Sequence, residues 1–358
     1  MPPSASYLAA YNHSGIPILV STGDDGWFDW DHVNAGLSSS NVPQLPSSLN
    51  TVVAVGGTQL RLNSNGTRAD ETVWNENGPS DTAGIQIGTE MGASGGGCST
   101  VITGQGWQRS VSGYSATTCG TMRLAGDVAA LADPYFGFDI YDSYNSFGGW
   151  ATLGGTSLAA PVIASMWALA GGGGGMAYPS ISLYGHYKSD ATKHTYDVVA
   201  GGNGACDATS PTSCANFLGG PLNTFGAGDI DCAWLHLSAT LAAGNAQCDA
   251  APGYDGPSGV GTPKGLTVFT ALHPTAKITK PATITHGTVA SFSGSTSTDP
   301  FPGGSISTYT WVWGDGTANS TGVAPTHTYA TAGTRSITLT VRDNYGVSGS
   351  VSVTVTVS

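Results

Sequence analysis

The run Gly155-Thr156-Ser157-Leu158-Ala159-Ala160-Pro161, continuing Val162-Ile163-Ala164-Ser165-Met166-Trp167-Ala168-Leu169-Ala170, constrains this chain more than any other stretch. An alanine-rich apolar run opening on Gly-Thr-Ser predicts a core helix entered from a glycine turn. Pro161 is expected in the first helical turn, where a missing N–H costs nothing. Ser157 then stands over the positive end of the helix, beside backbone that glycine leaves open to close approach. A serine nucleophile is presented in this way, with the helix dipole facing the negative charge of acyl transfer. A Gly-Ser cap on an ordinary core helix gives the same pattern, and the motif alone leaves both readings open.

The 358 residues carry 23 acidic and 11 basic side chains, a formal charge of −12. That length implies two or three domains and room for a substantial core. No basic cluster is present to neutralise phosphates, which excludes nucleic acid as a partner. No apolar run reaches the length of a membrane span, so no membrane partner is expected either. Charged residues make up only 9% and glycines number 53. Such a profile suits an extracellular, secreted protein that tolerates acid, because few carboxylates lose charge as pH falls. Met1-Pro2-Pro3-Ser4-Ala5-Ser6 lacks the basic start of a signal peptide. An exported composition without that signal suggests a chain beginning partway through a larger protein.

Six cysteines stand at 98, 119, 206, 214, 232 and 248, none in a metal-type C-x-x-C spacing. Disulfides are therefore expected: Cys98–Cys119, and a nested Cys206–Cys248 with Cys214–Cys232. The last four permit three pairings and the sequence does not choose among them; free buried thiols are the alternative.

Residues 5–12 read as the end of a helix. Ile18-Leu19-Val20, after Pro17, reads as a buried parallel strand, and Thr51-Val52-Val53-Ala54-Val55 repeats the pattern before Gly56-Gly57. Asp127-Val128-Ala129-Ala130-Leu131-Ala132 fits a strand or a short helix. Alternation of this kind points to an α/β domain with a parallel sheet and flanking helices. From Pro274 the texture changes to Thr/Ser/Val-rich alternation, in Val289 to Phe292, Tyr309 to Trp313, Ser336 to Val341 and Val351 to Val357. Period-two runs broken by turns read as a small β-sandwich. Two domains follow, residues 1–272 and 273–358.

The order of motifs from residue 15 to residue 263 resembles the sedolisin family, serine-carboxyl peptidases of subtilisin-like fold. Ser21-Thr22-Gly23-Asp24-Asp25-Gly26 resembles its Ser-Gly-Asp-x-Gly loop. Val53-Ala54-Val55-Gly56-Gly57-Thr58, Ser94-Gly95-Gly96-Gly97-Cys98-Ser99 with Trp107-Gln108, and Asp127 to Pro134 match further blocks in order. The resemblance implies an α/β subtilisin-like domain, incomplete at the N-terminus, acting as a serine-type endopeptidase on polypeptides in acid, as a monomer. It casts Ser157 as nucleophile and Asp24 as the oxyanion-hole group. A carboxyl donates a hydrogen bond to an oxyanion only while protonated, hence the acidic medium. A glycine-loop turn is the ordinary alternative for Asp24.

Tyr196-Asp197-Val198 and Ala251-Pro252-Gly253-Tyr254-Asp255 resemble the family's structural calcium ion site. Asp197 and Asp255 would give side-chain oxygens, and Val198, Ala251 and Gly253 carbonyls. One departure stands out. The family activates its serine with a Glu and an Asp four residues apart on a helix before the oxyanion aspartate, yet residues 1–23 contain neither acid. Glu71, Glu76, Asp81 and Glu90 lie in the wrong order and read as solvated loop charges. His286-Gly287-Thr288 resembles a subtilisin histidine motif but follows the serine, and reads as a strand start. His13 and His32 precede the serine without opening a glycine-and-alanine helix.

The C-terminal module resembles a PKD domain, an all-β immunoglobulin-like sandwich, through Trp311-Val312-Trp313-Gly314-Asp315-Gly316, His327-Thr328-Tyr329 and Ile337 to Asp343. Trp311 is expected between sheets and Gly314-Asp315-Gly316 in a hairpin turn. Trp313 is a core residue or, if exposed, a contact for insoluble substrate. The competing class is a non-catalytic peptide- or surface-binding protein derived from a peptidase.

Overall fold

The computed structural model describes residues 3–13, 15–27, 30–31, 36–37, 43–75, 92–144, 148–174, 176, 178–204 and 245–358. The chain divides into two compact units, Met1–Thr270 and Ala271–Ser358.

In the first unit, helix α1 (Ala5–Ala10) is capped by Ser4, whose Oγ accepts the Tyr7 N–H at 3.2 Å. Strand β1 (Leu19–Ser21) runs parallel to β2 (Val53–Leu62), Leu19 facing Val53 and Ser21 facing Val55. The second half of β2 pairs antiparallel with β3 (Arg68–Val73). Strands β4 (Gly97–Thr103) and β5 (Met122–Ala125) form a separate antiparallel pair. Strand β6 (Val128–Leu131) joins β2 in parallel, Val55 facing Val128. The segment 127–132 is thus strand rather than helix, because its amides are bound across the sheet: Asp127 N–H and Ala132 N–H each donate at 2.8 Å, to the Ala54 and Thr58 carbonyls. Val52, Val53, Ala54 and Val55 are fully buried, as a parallel strand covered on both faces requires.

A hairpin of β7 (Phe138–Asp142) and β8 (Gly149–Leu153) leads directly into α2 (Thr156–Leu169), which lies against β1, β2 and β6. Its buried residues Thr156, Ala159, Ile163 and Trp167 form one stripe at three- and four-residue spacing. Gly57 lets the helix start come this close; a Cβ there would stand 2.6 Å from Ala132 Cβ and 3.3 Å from Thr156 Cγ2. The helix begins at Thr156, so Pro161 falls in the second turn, not the first. Pro161 has no N–H for the Ser157 carbonyl four residues back. Helix α3 (Ile181–His194) follows and is kinked at Asp190. No described helix is long and apolar enough to cross a membrane.

The Cys98–Cys119 disulfide is formed, with Cα atoms 5.4 Å apart. Cys206, Cys214 and Cys232 lie outside the described residues, as do Glu76, Asp81, Glu90 and the His32 side chain. Glu71 is not a solvated loop charge. It sits on β3 opposite Leu60, is buried, and accepts from Thr58 Oγ1 at 2.6 Å, Thr262 Oγ1 at 2.7 Å and Arg68 Nε at 3.1 Å. Three donors replace the water that a carboxylate would otherwise need.

The second unit is all-β. Strands β9 (Val289–Ser291), β10 (Ile306–Val312), β11 (Ser320–Thr321), β12 (Thr326–Thr328), β13 (Gly333–Asp343) and β14 (Ser348–Val357) form antiparallel sheets β9–β12 and β11–β10–β13–β14. Period-two alternation on β13 buries Ile337, Leu339 and Val341 against Phe292, Trp311, Trp313 and Tyr329. Trp313 belongs to this core: it is 0% exposed, its Nε1 donates to Ser320 Oγ at 2.9 Å, and its ring stacks on His327 at 4.4 Å. Gly314 turns the chain at φ +76°, where a Cβ would lie 2.3 Å from the Ser336 carbonyl oxygen. His286 stands before β9, with its ring Nδ1 2.9 Å from the Ser358 carbonyl oxygen.

Candidate active site

Strand β1 delivers the loop that carries Asp24. The Thr22 N–H still donates to the Val55 carbonyl at 3.0 Å, and Gly23, at φ +104°, then turns the chain out of the sheet. Asp24 Oδ1 accepts the Thr156 N–H at 2.7 Å and lies 2.7 Å from Thr156 Oγ1. The carboxyl group therefore caps the first residue of α2, where the helix dipole is positive. Gly155 makes room for it: at φ +87°, a Cβ there would lie 2.6 Å from Asp24 Oδ2. Ser157, the next residue of the helix, is exposed. The two residues singled out from sequence thus share one helix end, joined through Thr156.

The Ser94 block closes round the same loop. Ala93 N–H donates to the Asp24 carbonyl at 2.8 Å, Gly95 N–H to the Gly23 carbonyl at 2.7 Å, and Gly57 N–H to Ser94 Oγ at 2.8 Å. A Cβ on Gly95 would stand 2.2 Å from the Thr22 carbonyl oxygen, so only glycine allows this approach. Motif blocks far apart in sequence are one packed cluster.

The two loops that carry the expected calcium ligands also meet. Gly253 N–H donates to Asp197 Oδ2 at 2.9 Å, and Ala251 N–H to Asp255 Oδ2 at 3.0 Å. Asp255 is 0% exposed, and its Oδ1 accepts the Ser258 N–H at 2.9 Å and the Ser258 hydroxyl at 2.8 Å. Burial pushes its carboxyl up to about 8 against those hydrogen bonds, and the Asp197 charge adds to the rise. Burial also raises Asp197, and Val198 is fully buried. Among the described residues no group of three His, Cys, Asp or Glu side chains is placed to hold a metal ion. Two carboxylates with backbone carbonyls are nevertheless a hard-oxygen set of the kind calcium takes, and a cation would offset the buried charge.

The same unit holds a buried cluster that sequence reading missed. Arg123 Nη2 bonds Asp127 Oδ2 at 2.6 Å, both side chains 0% exposed. The Tyr184 hydroxyl donates to Asp127 Oδ1 at 2.6 Å, and Asp127 Oδ2 accepts the Ala54 N–H at 2.8 Å. An arginine inside an apolar run, four residues before an aspartate, is the signal that could have revealed it.

Residues 271–357 match the family model described as PKD domain. Sedolisin from Pseudomonas sp. (strain 101) is 33% identical over 192 residues, which is 53% of this chain and 30% of that protein. Kumamolisin from Bacillus sp. (strain MN-32) is 31% identical over 154 residues, 42% of this chain and 24% of its own length. A solved structure of Pseudomonas sedolisin, a serine-carboxyl proteinase complexed with two molecules of pseudo-iodotyrostatin, aligns at 28% identity. That alignment covers 70% of this chain and 54% of the other, with a TM-score of 0.47. The chain spans less than a third of the length of these two curated relatives. Over part of its length it is a homologue of sedolisin and kumamolisin, and it carries a PKD domain at residues 271–357.

Proposed function

We propose that this chain carries the nucleophile and oxyanion portion of a secreted serine-type endopeptidase that hydrolyses polypeptides in acid through an acyl-enzyme. The observation that carries this reading is the Asp24 carboxyl group bound to the Thr156 N–H at 2.7 Å, one residue from the exposed Ser157. In the reaction, Ser157 Oγ adds to the scissile carbonyl, and neutral Asp24 donates a hydrogen bond to the resulting oxyanion. The leaving amine departs with a proton, and water then releases the acyl group. The disulfide and the low charge content support export, and the protein acts as a monomer. A structural calcium ion is held by Asp197, Asp255 and the carbonyls of Val198, Ala251 and Gly253.

Ser157 also needs a base to take its proton. Residues 1–23 hold no Asp or Glu, so the 358-residue chain alone is expected to show negligible casein cleavage between about pH 3 and about pH 8. Cleavage abolished by Ser157→Ala would overturn that expectation. The site itself is tested with a peptide aldehyde, which forms a hemiacetal with an active-site serine. Ser157→Ala should lose the adduct, and Asp24→Ala should weaken it by on the order of 10²-fold, the typical worth of one oxyanion donor. A second reading is a peptide-binding derivative of a peptidase. Peptide binding without any aldehyde adduct would support it.

A further inference from the structure

The β7–β8 hairpin immediately precedes the candidate nucleophile and presents its aromatic residues to solvent. Tyr141 is 64% exposed and Trp150 74%. They face each other across the hairpin, and their rings pack edge-to-face at 5.5 Å. On the same face, Thr152 Oγ1 donates to Asp139 Oδ1 at 2.6 Å. The base is firmly held: buried Asp133 accepts the Tyr135 N–H at 2.8 Å and a Gln59 side-chain N–H, and the Gly155 N–H donates to the Ala132 carbonyl. A pre-ordered pair of exposed aromatics on a fixed base is a contact surface, since each such ring has roughly 150–250 Å² to bury.

Position and charge identify the occupant. Leu153, the last residue of β8, is four residues from Ser157 and Trp150 is seven, so Trp150 lies within about 25 Å of the candidate nucleophile, a span that an extended octapeptide bridges. No Lys or Arg occurs between Arg123 and Lys188, whereas Asp139 and Asp142 stand on the hairpin. A second copy of a chain with net charge −12 would be repelled from this face. The geometry points to an extended stretch of the polypeptide substrate, bearing aromatic or aliphatic side chains interleaved with basic ones, held by Tyr141 and Trp150 beside the bond presented to Ser157. This specificity surface rests on the function proposed above.

The test uses the full chain as Ser157→Ala, so that nothing is turned over, and a fluorescein-labelled synthetic octapeptide alternating Lys with Phe and Leu. Fluorescence anisotropy should show binding that Tyr141→Ala/Trp150→Ala weakens about tenfold, a size typical of aromatic anchors. Trp150→Phe should keep most of the affinity, and the unfolding midpoint of each variant should match the parent. An octapeptide of Gly and Ser should bind poorly. Equal affinity in the double variant, no binding to the parent, or self-association of the parent lost in the double variant would each overturn the assignment. Failure of the peptidase reading has a different signature: the aldehyde adduct is absent while octapeptide affinity still depends on Tyr141 and Trp150. Failure of the hairpin proposal leaves the adduct in place.

Discussion

Arg123 and Asp127 are fully buried charges in a chain that is only 9% charged. Burial pulls the Arg123 guanidinium down, but the Asp127 carboxylate outweighs it and holds the group above its usual value. Tyr184 is raised far above the ordinary phenol range, first by burial and then by the same carboxylate. Removing one member of such a pair leaves the other uncompensated in a dry interior. Arg123→Met is therefore expected to cost about 3–5 kcal/mol in urea unfolding of the first unit. Arg123→Met/Asp127→Leu should recover much of that loss, and a single-variant loss under about 1 kcal/mol would show the pair to be dispensable. Residues of this kind are hard to read from sequence because an isolated charge carries no periodicity. Glu71 reads as a loop charge for that reason, since its partners Thr58 and Thr262 lie 13 and 191 residues away. Asp24 and Ser157 stand out as candidates in the sequence because each sits in a glycine-bearing motif, but Thr156, which joins them, reads in sequence only as part of a cap.

At the scale of elements, β1 and the first half of β2 were legible as unbroken apolar runs between glycines, and the strands of the second unit by strict alternation. The 127–132 segment was ambiguous by pattern, and only its pairing with β2 makes it a strand. The β7–β8 hairpin went unread because its exposure pattern is mixed on both strands, leaving no buried face for a period to mark. The apolar run after Ser157 marks helix α2, whose start at Thr156 puts Pro161 in the second turn rather than the first. A proline there removes the amide that would bind the Ser157 carbonyl, at about 3 kcal/mol in an ordinary helix interior. Pro161→Ala restores that donor, offset by about 0.4–1 kcal/mol from the freer unfolded chain. The expected net gain is about 2 kcal/mol in urea unfolding. No gain, or a loss, would mean that the Ser157 carbonyl is satisfied elsewhere and that the helix start depends on proline.

At the scale of the whole molecule, the chain holds two compact units, each with a core of its own, so two unfolding transitions are expected. The loops proposed to hold calcium belong to the first unit and contact its buried residues. Val260 N–H donates to the Asp127 carbonyl at 3.0 Å, and the Tyr254 hydroxyl lies 3.2 Å from that of Tyr184. A metal bound at Asp197 and Asp255 would thus be linked through short contacts to the buried Arg123–Asp127 pair. An ion that binds only the folded state stabilises by about 2.7 kcal/mol at a hundred times its dissociation constant. Chelation should therefore lower one calorimetric transition and leave that of the PKD domain, residues 271–357, unmoved. Asp255→Ala separates the metal from the hydrogen bonds made by the carboxylate. The variant should begin at the lower transition temperature and show no further response to chelator, whereas loss of hydrogen bonds alone would leave the response intact. If chelator moves neither transition of the parent chain, Asp197 and Asp255 are loop anchors held by backbone amides, and no structural ion is bound there.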